Sequence, residues 1–523
     1  MLITDILARN ADLYGDEIAL IEREPAKNRK KAITWREFDS LANKIANSLM
    51  ERGVLKGDKV IQLMMNCLEW LPIYFGILRT GAWAVPLNFR FTAEEIRYCA
   101  KIVDAKALIF GEEFVDPIGA IHSDLETIAD YVFLGPDQDL PGYATAFSDF
   151  CQGASDDHPR VSLALSDEAG LYFTSGTTGT PKPILLTHNN LEFAALIENA
   201  HHGQVHEDNF LCIPPLYHTG AKMHWFGNLI VGARAVILKG VKPQWILEAV
   251  SEEKVTIVWL LVPWAQDILV ALEKGDLKLE DYQLDQWRLM HIGAQPVPRS
   301  LVRNWKKIFP NHDYDTNYGL TETTGPGCVH LGLDNIHKVG AIGIPGVDWE
   351  CRIVDNQHKE VPAGQTGELM VKGPGMMKEY YKAPHLTQET IIDGWLLTGD
   401  MARVDGEGFI WLVDRKKDVI ICGGENIFPV QIEDFLMDNP KIQDVAVIGT
   451  PDVRLGEVAT AIIQVKDSLP MTGEEVLRFC EGLPRYRRPR KVFFDNIPRN
   501  ATGKIMKPDL RKKYAGIEES FQI

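Results

Sequence analysis

At 523 residues the chain is too long for a single ordinary core, so two or more domains are expected. Its 45% hydrophobic and 24% charged residues suit a soluble globular enzyme, and a net charge of -17 argues against a general nucleic-acid binder. The eight cysteines stand singly with no CxxC pair, which leaves zinc and redox motifs unsupported and fits reduced thiols in a cytoplasmic protein.

Met1 to Asp5 reaches an acidic residue with no basic lead-in, so no signal peptide is expected. Thr34-Trp35-Arg36-Glu37 reads as a capping box for a helix continuing to Met50. A strand over 58 to 64, an apolar-periodic helix over 69 to 80 and a strand over 84 to 87 follow, an alternation that predicts a largely parallel α/β layer. Residues 111 to 158 read as acidic and loop-rich.

The stretch Tyr172-Phe173-Thr174-Ser175-Gly176-Thr177-Thr178-Gly179-Thr180-Pro181-Lys182 lies between two strand patterns. Such a loop offers backbone N–H groups, hydroxyls and one cation to a polyphosphate, although its glycine spacing differs from the common P-loop. A polar hairpin made of good turn formers is the plain alternative. Next, His218 stands between a proline-led strand end and Gly220, placed either to protrude into a cleft or to pack. The apolar window over 255 to 272, broken by Pro263, Gln266 and Asp267, predicts a buried strand entering a helix rather than a membrane span. Trp259 and Trp264 are read there as core packing. A strand ending at Gly293-Ala294 gives a flat backbone wall for a planar ring.

In Thr316-Asn317-Tyr318-Gly319-Leu320-Thr321-Glu322, Tyr318 offers a ring face, Thr321 a hydroxyl and Glu322 a hard oxygen ligand for Mg²⁺. Taken alone, a tight turn with an exposed acid reads equally well. Asp400, after Gly399 at a strand end, can accept two hydrogen bonds from a cis-diol, though a turn aspartate is common. Arg415-Lys416-Lys417 reads as a charged linker between two strands. Gly423 and Gly424 allow close backbone approach. The run from Arg485 to Lys491 is either a solvated face or a phosphate contact, and Lys504 tips a glycine-containing turn.

SGTTGTPK at 175 to 182 resembles the signature of the adenylate-forming superfamily, which includes acyl-CoA synthetases, peptide-synthetase adenylation domains and firefly luciferase. YGLTE at 318 to 322, TGD at 398 to 400, DRKKD at 414 to 418 and the terminal GK at 503 to 504 follow in the family's order, so the resemblance runs from about Thr34 to Arg511. It implies a large N-terminal domain, residues 1 to 414, of two α/β subdomains plus a small β-barrel, and a smaller mobile α+β lid, 415 to 523. It also implies ATP, Mg²⁺ and coenzyme A as cofactors and a small-molecule carboxylic acid as substrate, with homodimerisation left open.

Under that resemblance Thr174 to Thr180 and Lys182 hold phosphates, with Thr178 catalytic. Gly293, Ala294, Thr316, Asn317, Tyr318, Gly319 and Thr321 meet the nucleotide, Asp400 and Arg415 the ribose, and Glu322 the metal. Lys417 is the hinge, Gly423 and Gly424 line the thiol tunnel, and Lys504 and His218 are catalytic. Gly220, His224, Trp225, Gly293, Gly319, Pro326 and Gly327 line the acyl pocket. Pro183 departs from the glycine usual after the loop lysine, which bears on the mobility of Lys182. No acidic partner for an amino group follows Tyr217, which weighs against an amino-acid substrate. An aromatic, alicyclic or medium-chain acid is expected; Lys222 and His224 leave room for a polar or carnitine-like one. A carrier-loading adenylation enzyme and a non-catalytic scaffold are the rival readings.

Overall fold

A computed structural model describes residues 1–175, 181–293, 297–325, 327–423, 425–466, 469–499 and 504–515. Among these residues two large sheets dominate the first four-fifths of the chain. The eight-stranded sheet runs, edge to edge, Glu379–Tyr380, Pro181–Thr187, Glu168–Ser175, Trp83–Pro86, Lys59–Leu63, Ala107–Gly111, Asp130–Leu134 and Thr145–Ala146. It is parallel from Glu168–Ser175 onward and antiparallel on the other side, where Pro181–Thr187 folds back. The seven-stranded sheet is ordered Asp313–Asp315, Leu289–Gly293, Ile257–Leu261, Asn209–Cys212, Arg234–Leu238, Ile18–Glu24 and Arg29–Thr34. All its pairs are parallel except the last.

Local sequence accounts for much of this. Thr34 and Glu37 close the expected capping box at the start of the Trp35–Glu51 helix. Ile257–Leu261 is buried at every position and runs into the Val262–Lys274 helix, so the apolar window is core. The stretch expected to be loop-rich instead contributes the last two strands of this sheet, Asp130–Leu134 and the edge strand Thr145–Ala146. Tyr131 and Phe133 are buried there, and their burial against neighbouring strands outweighs the acidic composition around them.

Two small antiparallel sheets form the third unit. Asn317–Tyr318, Val329–His330 and Ile344–Pro345 make one; Glu350–Val354, Gly367–Lys372, Trp395–Val404, Ile391–Ile392 and Ile410–Arg415 make the other. Backbone hydrogen bonds between Ile410 and both Ile342 and Gly343 join them. The C-terminal unit is α+β: the long hairpin Ile442–Asp452 with Gly456–Val465, the short strands Ile420–Cys422, Glu425–Ile427 and Lys491–Phe494, and the helices Pro429–Met437, Gly473–Phe479 and Lys507–Tyr514. Among the described residues no helix is long and apolar enough to cross a membrane.

Candidate active site

The phosphate-loop candidate sits at the tip of the hairpin between Glu168–Ser175 and Pro181–Thr187, where Thr174 pairs with Lys182 and Ser175 with Pro181. Residues 176 to 180, with Gly176, Thr177, Thr178, Gly179 and Thr180, lie outside the described residues, as do Ala294, Pro326 and Gly424. Pro183 lies in the second strand opposite Phe173, and its carbonyl accepts the Tyr381 N–H at 2.9 Å. Proline is tolerated here because the neighbouring strand pairs only from Ile184 onward.

Lys182 projects its Nζ to 5.6 Å from the centre of the Tyr380 ring. The Tyr380 hydroxyl donates to Glu322 Oε1 at 2.7 Å, on the short 3₁₀ turn Thr321–Thr323. Lysine, phenol and carboxylate thus converge beside the hairpin tip. The oxygen donor of Glu322 is the type Mg²⁺ takes, so the residues present fit that ion.

A second group lies where Trp395–Val404 pairs with Ile410–Arg415. Asp400 stands opposite Arg415 in register; its Oδ1 is 3.0 Å from Arg415 Nε, and its Oδ2 accepts the Tyr318 hydroxyl at 2.6 Å. Asp400 raises the Arg415 pKa, while burial, then Asp400, push the Tyr318 phenol far above its ordinary range.

Lys504 comes from the C-terminal unit into this neighbourhood. Its electrostatic partners are Arg415, Asp400, Glu322 and Lys417, and its charge is also felt by His218. Crowding by protein, then Arg415, lowers its pKa to about 8. The residue keeps solvent contact, so water screens part of this field. Lys417 is exposed and lies two residues past the Asp400–Arg415 rung. Gly423 makes its contacts within the C-terminal unit, with left-handed φ and its N–H on the Leu455 carbonyl.

His218 caps the Thr219–Val231 helix. Burial, then the charge of Lys504, pushes its imidazole down to about 3, so it is neutral at pH 7. Along the helix Gly220 and His224 fall four residues apart on one face, whereas Lys222 and Trp225 point the other way. Gly220 approaches the Trp259 indole: a methyl there would stand 3.2 Å from the ring edge. His224 stacks on the same indole, 4.4 Å between centres.

Of the tryptophan assignments, that of Trp225 is overturned. Trp225 is fully buried against Phe38 and Phe75 in the core, not in the pocket, because five helical positions carry it across the helix from Gly220. Trp259 is buried in the core as expected, and its indole also lies against Gly220 and Gly293. Lys222, expected beside the pocket, is sealed among Trp70, Tyr74 and Tyr172, with Nζ 5.6, 4.7 and 4.4 Å from their ring centres. Gly327 is explained by backbone packing, since a methyl would lie 2.7 Å from the Tyr318 carbonyl oxygen. Gly319 and Thr316 flank Tyr318 and Asn317, with Thr316 accepting the Leu331 N–H through its carbonyl.

Beneath Gly220 lies a buried polar network that sequence reasoning missed. Glu198 and His202, one turn apart on the His188–His202 helix, approach with Oε1 to Nδ1 at 2.7 Å, off the ideal hydrogen-bond angle. His202 Nε2 lies 2.8 Å from Asp315 Oδ2 and 3.2 Å from His291 Nδ1. His291 Nε2 lies 3.0 Å from His224 Nε2, which Asn317 Nδ2 also reaches at 3.1 Å, and His224 Nδ1 meets the Gly220 carbonyl. Burial opposes charge on His202, but Glu198 and Asp315 outweigh it and raise its pKa to about 10; burial keeps His291 and His224 neutral. With His202 doubly protonated and His224 donating from Nδ1 to Gly220, the single lone pair of His224 Nε2 faces both His291 Nε2 and Asn317 Nδ2, and Asn317 also hydrogen-bonds His291. The ligand atoms of His202, His291 and Asp315 lie within 4.8 Å of one another, but their contacts close as hydrogen bonds. A Glu-x₃-His pair on a helix was the one available sequence signal.

The AMP-binding enzyme model matches residues 7–381, and the AMP-binding enzyme C-terminal domain model matches 431–504. The chain belongs to the AMP-binding enzyme family. Like other members it pairs a large N-terminal with a small C-terminal domain. It is 30% identical over 493 residues to the long-chain-fatty-acid–CoA ligase FadD13 of Mycobacterium tuberculosis, covering 92% of this chain and 93% of that one. It is 32% identical over 489 residues to a feruloyl-CoA synthase of Amycolatopsis sp, covering 92% and 94%. The solved anthranilate CoA ligase AuaEII, in complex with anthranoyl-AMP, superposes with a TM-score of 0.89 at 27% identity, covering 98% and 97%.

Proposed function

We propose that this acyl-CoA synthetase of the AMP-binding enzyme family acts on a compact acid, aromatic, alicyclic or medium-chain, through the residues gathered above. The enzyme joins a carboxylic acid to CoA in two steps: ATP converts the carboxylate to an acyl-adenylate with release of pyrophosphate, and the CoA thiol then displaces AMP. One observation carries the assignment of residues: Lys504 of the C-terminal unit shares an electrostatic neighbourhood with Glu322, Asp400 and Arg415 of the body.

In this reading Asp400 accepts the ribose hydroxyls and is held for that task by Tyr318 and Arg415. Lys182 and Lys504 bring positive charge to the triphosphate from two sides, where charge accumulates in the transition state. Glu322, anchored by Tyr380, would hold Mg²⁺, which when bound neutralises phosphate oxygens. His218, neutral at pH 7, borders the acyl carboxylate as an uncharged imidazole able to donate or accept a hydrogen bond. Gly220, Gly293 and Trp259 bound the acyl space, and Lys417 is the pivot about which Gly423 and Gly424 reach the cleft for the thiol step. The names of the relatives support acids of this range, since one is a feruloyl-CoA synthase and another an anthranilate ligase.

A panel of acids scored for pyrophosphate release, with acyl-CoA detected by mass, tests the proposal. Acid-dependent release with equimolar AMP and acyl-CoA is expected. Binding of ATP without pyrophosphate exchange for any acid would overturn it, and transfer only to carrier-bound thiols would replace CoA as the acceptor.

A further inference from the structure

One hydrogen bond spans the Lys417 pivot and ties the C-terminal unit to the body. Asp414 lies in the body strand Ile410–Arg415, just before the pivot, and its carboxylate is buried. Its Oδ2 accepts the Val430 N–H at 2.9 Å, while its Oδ1 accepts the Arg415 N–H at 2.7 Å. Val430 belongs to the first turn of the Pro429–Met437 helix, on the far side of the pivot. That helix begins without a cap of its own. Phe428 carries no side-chain acceptor and Pro429 no N–H, so Val430 presents the first orphan donor. A carboxylate of the body takes the place that a capping serine or aspartate usually fills, and its charge suits the positive end of the helix. Burial raises the Asp414 pKa to about 6, with Lys507 opposing, so the group is mostly ionised at pH 7.

The capped helix is joined in turn to the segment that carries Lys504. Glu433, one turn on from Val430, approaches Lys507 with Oε1 to Nζ at 2.8 Å, and the same oxygen accepts the Val447 N–H at 2.7 Å. Lys507 is itself buried, three residues past Lys504. Between them, Ile505 bridges to Arg499, and the Met506 N–H donates to the Pro498 carbonyl at 2.8 Å. The helix start and Lys504 therefore move together. A hydrogen bond weakens steeply once its angle falls below about 120°, so a large turn of the C-terminal unit about Lys417 breaks the Asp414–Val430 bond. The same turn carries Lys504 away from Glu322 and Asp400.

We propose that Asp414 is a positioning residue for the first half-reaction: by capping the helix of the C-terminal unit from the body, it holds Lys504 at the nucleotide, and loss of that bond accompanies the turn to the thiol step. The inference rests on the acyl-CoA synthetase reading and on Lys417 as its pivot.

The two half-reactions, assayed separately, test it. Asp414→Ala is expected to lower kcat/KM for pyrophosphate release about tenfold, the scale of a bond to a charged acceptor, while thiolysis of preformed acyl-adenylate is unchanged or faster. Asp414→Asn keeps an oxygen for the Val430 N–H and should recover most of the loss. Damage passed to the adjacent Arg415 would instead slow both half-reactions, because both need the adenylate held. Hydrogen exchange on the wild-type enzyme tests the contact without any variant. The Val430 amide should be protected with a non-hydrolysable ATP analogue and exchange about tenfold faster with AMP plus CoA. Equal losses in the two half-reactions, full adenylation by Asp414→Ala, or the same Val430 exchange in both complexes overturns the proposal. A wild-type enzyme that releases no pyrophosphate with any acid overturns the parent synthetase reading instead, so the two failures are distinct.

Discussion

Replacing Lys504 separates the two half-reactions and carries its own pH signature. Protein crowding and Arg415 hold its ammonium at a pKa of about 8 in the unliganded enzyme. The protonated form is the one that meets the triphosphate, so kcat/KM for pyrophosphate release should be flat below pH 7 and fall above pH 8. Only about a tenth of Lys504 stays protonated at pH 9, so the drop approaches tenfold per pH unit. Saturating ATP brings negative charge beside the ammonium and should move the limb in kcat to higher pH. Lys504→Arg keeps the charge at every accessible pH and should abolish the limb, though at a lower plateau. Lys504→Ala should lower adenylation by about 10²–10³, the scale of one lost transition-state contact, while thiolysis of preformed acyl-adenylate changes little. Stopped-flow pyrophosphate detection from pH 6 to 10, with a separate thiolysis assay, measures both. Equal losses in the two half-reactions, or a limb near pH 8 that persists in Lys504→Arg, would refute the reasoning.

Asp400→Asn removes the charge shared by the Tyr318 hydroxyl and Arg415, worth about 1.5–3 kcal/mol for a bond to a charged group. The affinity for a non-hydrolysable ATP analogue should weaken about ten- to hundredfold by calorimetry; unchanged affinity would sink the ribose assignment. Lys222→Met replaces an amine that burial drives toward its neutral form, sealed among three rings with no hydrogen-bond acceptor among the described residues. A gain of about 1–3 kcal/mol in unfolding free energy, seen as a higher urea midpoint, is expected; a lower midpoint would mean that the aromatic cage stabilises the cation.

Contiguous stretches declared themselves in the sequence. The hairpin strands around SGTTGTPK, the Thr34 capping box and the strand-into-helix window at 255 to 272 each rest on near-neighbour geometry: side-chain period, cap chemistry and turn residues. The order of motifs likewise identified the family, because each motif is a short local signature.

Direction across a helix and convergence between distant segments were decided only by tertiary packing. Whether Trp225 or His224 meets the Trp259 indole depends on how the Thr219–Val231 helix lies on the sheet; rotation by half a turn would exchange their surroundings. The Glu198–His202–Asp315–His291–His224 network draws on two helices and two strands, so no local pattern records it. A proton position on one imidazole there depends on partners over a hundred residues away. Sequence sets the local period and chemistry of each segment, whereas contacts that exist only after the layers close determine what each side chain touches.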